Sequence, residues 1–324
     1  MHFQQVLDLK KLYKISLILG VLTFLNILFG PLVRATDSGL ACPDWPLCYG
    51  RVLPPAEFRI WMEVGHRIYS GFISLFLVYE IWFVLKNEDL RKKFGWDVVL
   101  SGLVIINQIA LGALTVTKLL DPTTVNLHLL NAVLFLLLTI TINVKSDVAL
   151  KSQEGDLALF GWGDVFTSRG ALLLVIFILT YFQLYLGGRV SSHYAGLVCT
   201  DWPTCNGQWF PPMQGLVRFQ MEHRFMAYLI LILVIVNLAV TLIGGYEKRS
   251  KLFAKLALYI CGLQIILGVL NVLLKLPTIL TAFHTGTGVA LLCTIYISLF
   301  YRIAYRADKA KSPVREAVTE TELA

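Results

Sequence analysis

A segment of this chain, RATDSGLACPDWPLCYGRVLPPAEFRIWMEVGHR from Arg34 to Arg67, has a second copy, RVSSHYAGLVCTDWPTCNGQWFPPMQGLVRFQMEHR, from Arg189 to Arg224. The register between them is fixed. Cys199 follows Cys42, Cys205 follows Cys48, Trp202 follows Trp45, Pro212 follows Pro55 and His223 follows His66, each by 157 residues. Farther along, Gln264 follows Gln108 and His284 follows His128 by 156. Two copies of one unit fold as two similar halves, so positions that differ between them are where function is to be sought.

Each half is too apolar for a soluble domain: the chain is 56% hydrophobic and 15% charged. A hydrocarbon core of roughly 30 Å takes about 20 apolar residues per helix. Eight stretches meet that length, near residues 14–33, 60–85, 97–117, 124–144, 169–188, 218–244, 252–274 and 278–301. Four fall in each copy. The expected fold is therefore all-α, an integral membrane protein of eight transmembrane helices arranged as two tandem four-helix bundles. The halves are expected at 1–150 and 169–303, with a connector at 151–168 and a mobile tail at 304–324. Gly30-Pro31 and Gly187-Gly188 are expected to end the first helix of each half.

The net charge of +7 invites a nucleic-acid reading, but the placement of the charges argues against it. If both termini are cytoplasmic, nineteen of the 28 Lys and Arg residues lie in inner segments, among them Lys86, Arg91, Lys92 and Lys93 between the second and third spans. That is the positive-inside bias of a membrane protein. It puts the two Cys-bearing loops outside and calls for no nucleic acid. The first span carries neither a small-residue cleavage site nor a transit-peptide pattern, so the plasma membrane of a prokaryote is the expected location.

His66, His128, His223 and His284 share one address, near the outer ends of spans two, four, six and eight. An ionisable side chain at membrane depth is costly, and four at matching depth point to a common task. Zinc or copper favours tight clusters of ligands, whereas each of these histidines is alone on its helix. Facing helices can each offer one imidazole to a flat macrocycle between them, the usual way of holding haem iron. Pairing by repeat gives His66 with His128 and His223 with His284, hence two haem sites. Arg67 and Arg224 follow the first histidine of each pair, where a guanidinium can meet haem propionates or simply reach the interface. Gly65, Gly71, Gly286 and Gly288 flank histidines and are read as room for a bulky ring.

The halves differ most sharply at Glu63. It lies three residues before His66 on the same helix face, and its counterpart is Gln220. A carboxylate can take up and release protons where an amide cannot, which places chemistry in the N-terminal half and a carrier role in the other. Glu222 departs from the symmetry on a different face. Cys42 with Cys48 and Cys199 with Cys205 recur in outer loops, where disulfides form readily; a structural and a redox role are both open.

SGLACPDWPLC, EVGHR, NLHLLNA, CTDWPTC, MEHR and FHTGTG, in this order on a duplicated four-helix plan, resemble the haem A synthase family of cytochrome oxidase assembly, both bacterial and mitochondrial. The resemblance spans nearly the whole chain, from about Gly30 to Gly288. It implies oxidation of one ring methyl of haem O to the formyl group of haem A, in two successive oxidations followed by loss of water. It further implies His66 and His128 as ligands of the substrate haem and His223 and His284 as ligands of a resident haem b that relays electrons. Glu63 is implied as the catalytic carboxylate and Cys42 with Cys48 as the family's outer cysteine pair. The implied partners are haem O synthase, the oxidase under assembly and an electron donor or acceptor left unidentified; self-association into a homo-oligomer is left open. The rival reading is a di-haem, b-type, quinone-linked electron carrier, which explains the histidines but gives Glu63 no task.

Overall fold

The computed structural model describes residues 2–151, 168–244, 246 and 248–321. Among them are eight α-helices long and apolar enough to cross a membrane. In chain order these are α1 (His2–Ala35), α2 (Phe58–Lys86), α3 (Glu88–Thr117), α4 (Pro122–Lys151), α5 (Ser168–Ser192), α6 (Gly215–Ile243), α7 (Lys248–Leu273) and α8 (Thr278–Thr321). All eight expected spans are present. The connector lies outside the described residues except at its ends, as do residues 322–324, and the stretch from 304 to 321 continues α8.

Local signals explain the turns. Asn87 is the single residue between α2 and α3, and its side chain accepts from the N–H groups of Asp89 and Leu90, capping α3. Asp121 does the same for α4, accepting from Thr124 N–H at 2.9 Å, with Pro122 in the first turn. α3 and α7 end alike: Leu120 N–H reaches Thr115 C=O at 2.8 Å and Leu276 N–H reaches Asn271 C=O at 2.7 Å. Both ends place two non-glycine residues in the left-handed region, Leu119 and Leu120 in one half, Lys275 and Leu276 in the other.

Gly30-Pro31 and Gly187-Gly188 do not end their helices. α1 runs through Pro31 to Ala35, with Ile27 and Val33 buried on either side of it. Gly188 is a packing contact: a Cβ there would lie 2.0 Å from Oδ1 of Asn126 on α4. α5 accordingly continues to Ser192.

Within each half, successive helices pack side by side, and the first also lies against the fourth in the N-terminal half as α5 lies against α8 in the other. The halves meet through matched contacts, α1 on α8 and α4 on α5, with α4 also touching α8. An apolar cluster that includes Ile27, Val133, Leu136, Val289 and Leu292 fills this seam. Polar groups fix it, with Tyr181 Oη donating to Leu130 C=O at 2.9 Å and Asn126 Nδ2 to Tyr185 C=O at 3.1 Å. Arg34 donates to Ser191 C=O, tying the end of α1 to that of α5.

Candidate functional site

The two loops are built alike. Cys42 is bonded to Cys48 and Cys199 to Cys205, and each loop closes on an isolated antiparallel bridge, Cys48 to Arg51 and Cys205 to Gln208. The peptide before Pro46 and that before Pro203 are both cis. One aspartate organises each turn. Asp44 accepts from the N–H groups of Tyr49 and Gly50, and Asp201 from those of Asn206 and Gly207 and from the Thr204 hydroxyl. The Thr204 hydroxyl, followed by the Gly207 and Asn206 N–H groups, holds the Asp201 carboxyl down to about 2; the Gly50 N–H leads the same effect at Asp44.

Beneath these loops stand the histidines. All four are partly buried, and the Nδ1 atom of every one is buried with no hydrogen-bond partner. Buried polar atoms are rarely left so, and each of these is a candidate ligand atom. On α4 and α8 the histidine has a glutamine beside it: Gln108 Nε2 lies 3.3 Å from His128 Nε2 and Gln264 Nε2 lies 3.4 Å from His284 Nε2. Glycines of neighbouring helices give the rings room, since a Cβ at Gly112, Gly187 or Gly268 would meet Cε1 of His128, His223 or His284 at 3.0–3.2 Å. These three lie against the imidazole rings themselves, while Gly286 faces Leu28 of α1.

The pairing differs between halves. His223 and His284 have ring centroids 6.3 Å apart, close enough for one ion to reach both at metal–nitrogen bonds of about 2 Å. In the other half Phe29 packs edge-on against His66 at 5.5 Å, where the matched residue is Leu186. Among the described residues no group of three or more His, Cys, Asp or Glu gathers as a metal cluster, so the donors come as two imidazoles per half. Two unpartnered imidazole nitrogens in each half are the chemistry by which a haem group would be held there, His66 with His128 and His223 with His284.

Glu63 is 5% exposed and turned toward the loop. Its Oε2 accepts from Cys42 N–H at 2.9 Å and its Oε1 from Arg67 Nη2 at 2.5 Å. Arg67 also donates to the carbonyls of Asp44, Pro46 and Leu47. In the other half Arg224 donates to the carbonyls of Cys199 and Thr204, and Gln220 reaches only Gly196 C=O at 3.5 Å. Both arginines thus hold the disulfide loops onto α2 and α6, a use that sequence reading missed. A propionate contact would draw on the same guanidinium donors. Glu222 bridges Arg189 at 3.0 Å and Arg218 at 2.6 Å, a clamp with no N-terminal equivalent because the matched positions are Gly65, Leu32 and Trp61.

Residues 13–296 match the cytochrome oxidase assembly protein family COX15-CtaA. The chain belongs to this family. Its relatives include the haem A synthase of Shewanella oneidensis, 31% identical over 338 aligned positions that cover 89% of this chain and 95% of that protein. The haem A synthases of Halalkalibacterium halodurans and Symbiobacterium thermophilum are 31% and 30% identical, covering 77% and 70% of this chain and 86% and 74% of their own lengths. For a COX15-CtaA member, the doubled histidine frame with a loop-bonded carboxylate at Glu63 and an amide at the matched Gln220 is the feature any function must explain.

Proposed function

We propose that this chain is a haem A synthase, which oxidises a ring methyl of haem O to the formyl group of haem A. The observation that carries the reading is the asymmetry at matched positions: both halves present two imidazoles under a disulfide loop, but only the N-terminal half adds a carboxylate, Glu63, bonded to that loop. In this reading His66 and His128 hold the substrate haem, and His223 and His284 hold a resident haem b. The group held by His223 and His284 supplies one-electron redox chemistry when bound.

The chain's own residues do the rest. Gln108 and Gln264 lie against the Nε2 side of His128 and His284 and hold those rings in one orientation, as outer-shell partners of ligating histidines do. Glu63, kept in place by Arg67 and the Cys42 N–H, stands three residues from His66, where it accepts a proton or steadies positive charge as the methyl is oxidised. The Glu222 clamp closes the loop end of the C-terminal half. Its absence from the other half suits a site whose haem enters and leaves. The positive-inside bias supports both termini in the cytoplasm and the disulfide loops on the outer face of a prokaryotic plasma membrane. Haem O synthase is the natural supplier of substrate.

The test is co-expression with haem O synthase, purification, and identification of the extracted haems by chromatography and mass. Haem B together with haem O or haem A supports the assignment. Haem B alone, with haem O abundant in the membrane, would favour a di-haem electron carrier.

A further inference from the structure

Beside His128, α3 meets α4 through a chain of side-chain amides. Asn131 Nδ2 donates to Val104 C=O at 3.0 Å and to Gln108 Oε1 at 2.8 Å, and Asn107 Nδ2 donates to Asn131 Oδ1 at 2.8 Å. Gln108 in turn sets its Nε2 3.3 Å from His128 Nε2. Asn131 stands three residues after His128, on the same face of α4.

The order of these bonds decides which way each amide faces. A backbone carbonyl only accepts, so Val104 draws the N–H side of Asn131 toward α3, while Asn107 holds the opposite side. Both N–H bonds of Asn131 Nδ2 are then used, one on Val104 and one on Gln108. Gln108 has its oxygen tied and only N–H left to offer the imidazole. Turning the Gln108 amide over would set two N–H groups against each other at Asn131 and break the bond between them.

The C-terminal half keeps the histidine and the glutamine but not the chain. Gln264 Nε2 lies 3.4 Å from His284 Nε2, as in the first half. Where that half has Asn107 and Asn131, this one has Leu263 and Thr287. Thr287 donates back to Phe283 C=O at 2.8 Å within α8, and Gln264 Oε1 is buried without a hydrogen-bond partner. With its oxygen untied, the Gln264 amide can turn about its last bond and present either atom to His284.

We propose that Asn131 is a positioning residue: by holding Gln108 with its N–H toward His128, it weakens that histidine as an iron ligand and makes the group held in the N-terminal half exchangeable. Either ring nitrogen gives the same sign. If iron bonds Nδ1, the proton sits on Nε2 and faces a second donor; if iron bonds Nε2, the Gln108 N–H competes for the same lone pair. An acceptor beside the free ring nitrogen is what ordinarily raises the basicity of a ligating imidazole, and the locked amide withholds it. Gln264 is free to offer Oε1 to an Nε2–H or to swing clear of a bonded Nε2, which suits a resident group. The inference deepens the haem A synthase reading and rests on its assignment of the halves: substrate enters and product leaves one site, while the other keeps its haem.

The test transplants the differing residues. Asn131→Thr frees Gln108, and Leu263→Asn with Thr287→Asn gives the C-terminal half the chain. Each set of changes is made in a Glu63→Gln protein co-expressed with haem O synthase, so that haem O reports the N-terminal half and haem B the other. Haem loss to excess apomyoglobin is followed, the haems are identified by chromatography, and midpoint potentials are read by redox titration. Asn131→Thr should slow loss of haem O about tenfold and lower its potential, because a more basic imidazole favours ferric iron, while haem B is unchanged. The C-terminal changes should speed loss of haem B, and they carry the test alone if Asn131→Thr fails to accumulate. A residue that merely supported the fold would act in the opposite direction: haem O lost at an unchanged or faster rate from Asn131→Thr overturns the proposal. Haem B alone, with haem O abundant in the membrane, overturns the haem A synthase reading instead. The effect of Asn131→Thr on the haem left in a His284→Ala protein then decides the role of Asn131 by itself.

Discussion

The backbone N–H of Cys42 donates to Oε2 of Glu63 at 2.9 Å, so the carboxylate that stands where the other half has Gln220 is bonded to the disulfide loop above it. Glu63→Gln keeps an acceptor for Cys42 but removes the charge that pairs with Arg67 and turns an N–H toward that guanidinium. The loop then remains held by the other three Arg67 bonds. Haem content should stay near wild type, while haem A formation should fall by about 10²–10⁴, the usual contribution of a positioned acid or base. Extracted haems measured by chromatography check this; an unchanged haem A yield removes Glu63 from the chemistry.

The same bond separates the two disulfides. Cys42→Ser with Cys48→Ser loosens the segment whose N–H holds Glu63, whereas Cys199→Ser with Cys205→Ser loosens a segment that meets its helix through Arg224 and a long Gln220 contact. The first pair of changes should depress haem A yield more than haem B content. The second should leave the yield closer to wild type. Equal losses would mean that both disulfides act only as loop closures.

His223→Ala and His284→Ala should each lower haem B content, with the N-terminal histidines untouched. Gly268→Ala is a gentler probe, because its Cβ would stand 3.0 Å from His284 Cε1 and tilt the ring without removing a ligand. Its expected result is haem retained with an altered Soret band and a shifted midpoint potential. Unaffected haem B in both His223→Ala and His284→Ala would show that the pairing of sites is wrong.

Acid should act on the loops before the helices. The Asp201 carboxyl is held at about 2 by Thr204 and two backbone N–H groups, below the roughly 3.9 of a free aspartate. Its contribution to loop order is fully present above the unfolded value and is lost as pH falls through the folded one. The deuterium-exchange protection factors of residues 199–208, corrected for the intrinsic pH dependence of amide exchange, should therefore be flat from pH 7 to about 4.5 and fall between about 4 and 2. Asp201→Asn should raise exchange at neutral pH as well.

Much of this was legible in the sequence because the chain is its own comparison. The constant offset located the histidines, the disulfide loops and the Glu63 to Gln220 difference, and the apolar runs gave all eight helices. What sequence could not give was where donors point. Arg67 and Arg224 lie beside histidines in the chain, but their guanidiniums turn back to loop carbonyls, a choice made by tertiary geometry. Gly187-Gly188 looked like a helix end, yet close approach of α4 makes those glycines necessary inside the helix. Asn131 was overlooked although the same subtraction finds it: its counterpart is Thr287, and the bonds that tie it to Val104 and Gln108 exist only once α3 lies against α4.

The seam between halves offers a prediction about stability. Asn126 is buried on α4, with Nδ2 donating to Tyr185 C=O at 3.1 Å and Oδ1 occupying the space that a side chain at Gly188 would need. In Gly188→Ala the new Cβ would lie 2.0 Å from Oδ1 and 2.7 Å from Cγ of that amide, so the whole side chain must move and the Tyr185 bond breaks. Overpacking of this kind costs about 1–3 kcal/mol. Gly188→Ala should lower Tm in detergent and weaken the association of α4 with α5. Asn126→Ala removes the clashing group at the price of one hydrogen bond, about 1 kcal/mol. If the contact is the cause, the double variant should be more stable than Gly188→Ala alone, a coupling that a double-mutant cycle reads directly. Strict additivity would place the strain elsewhere in α5.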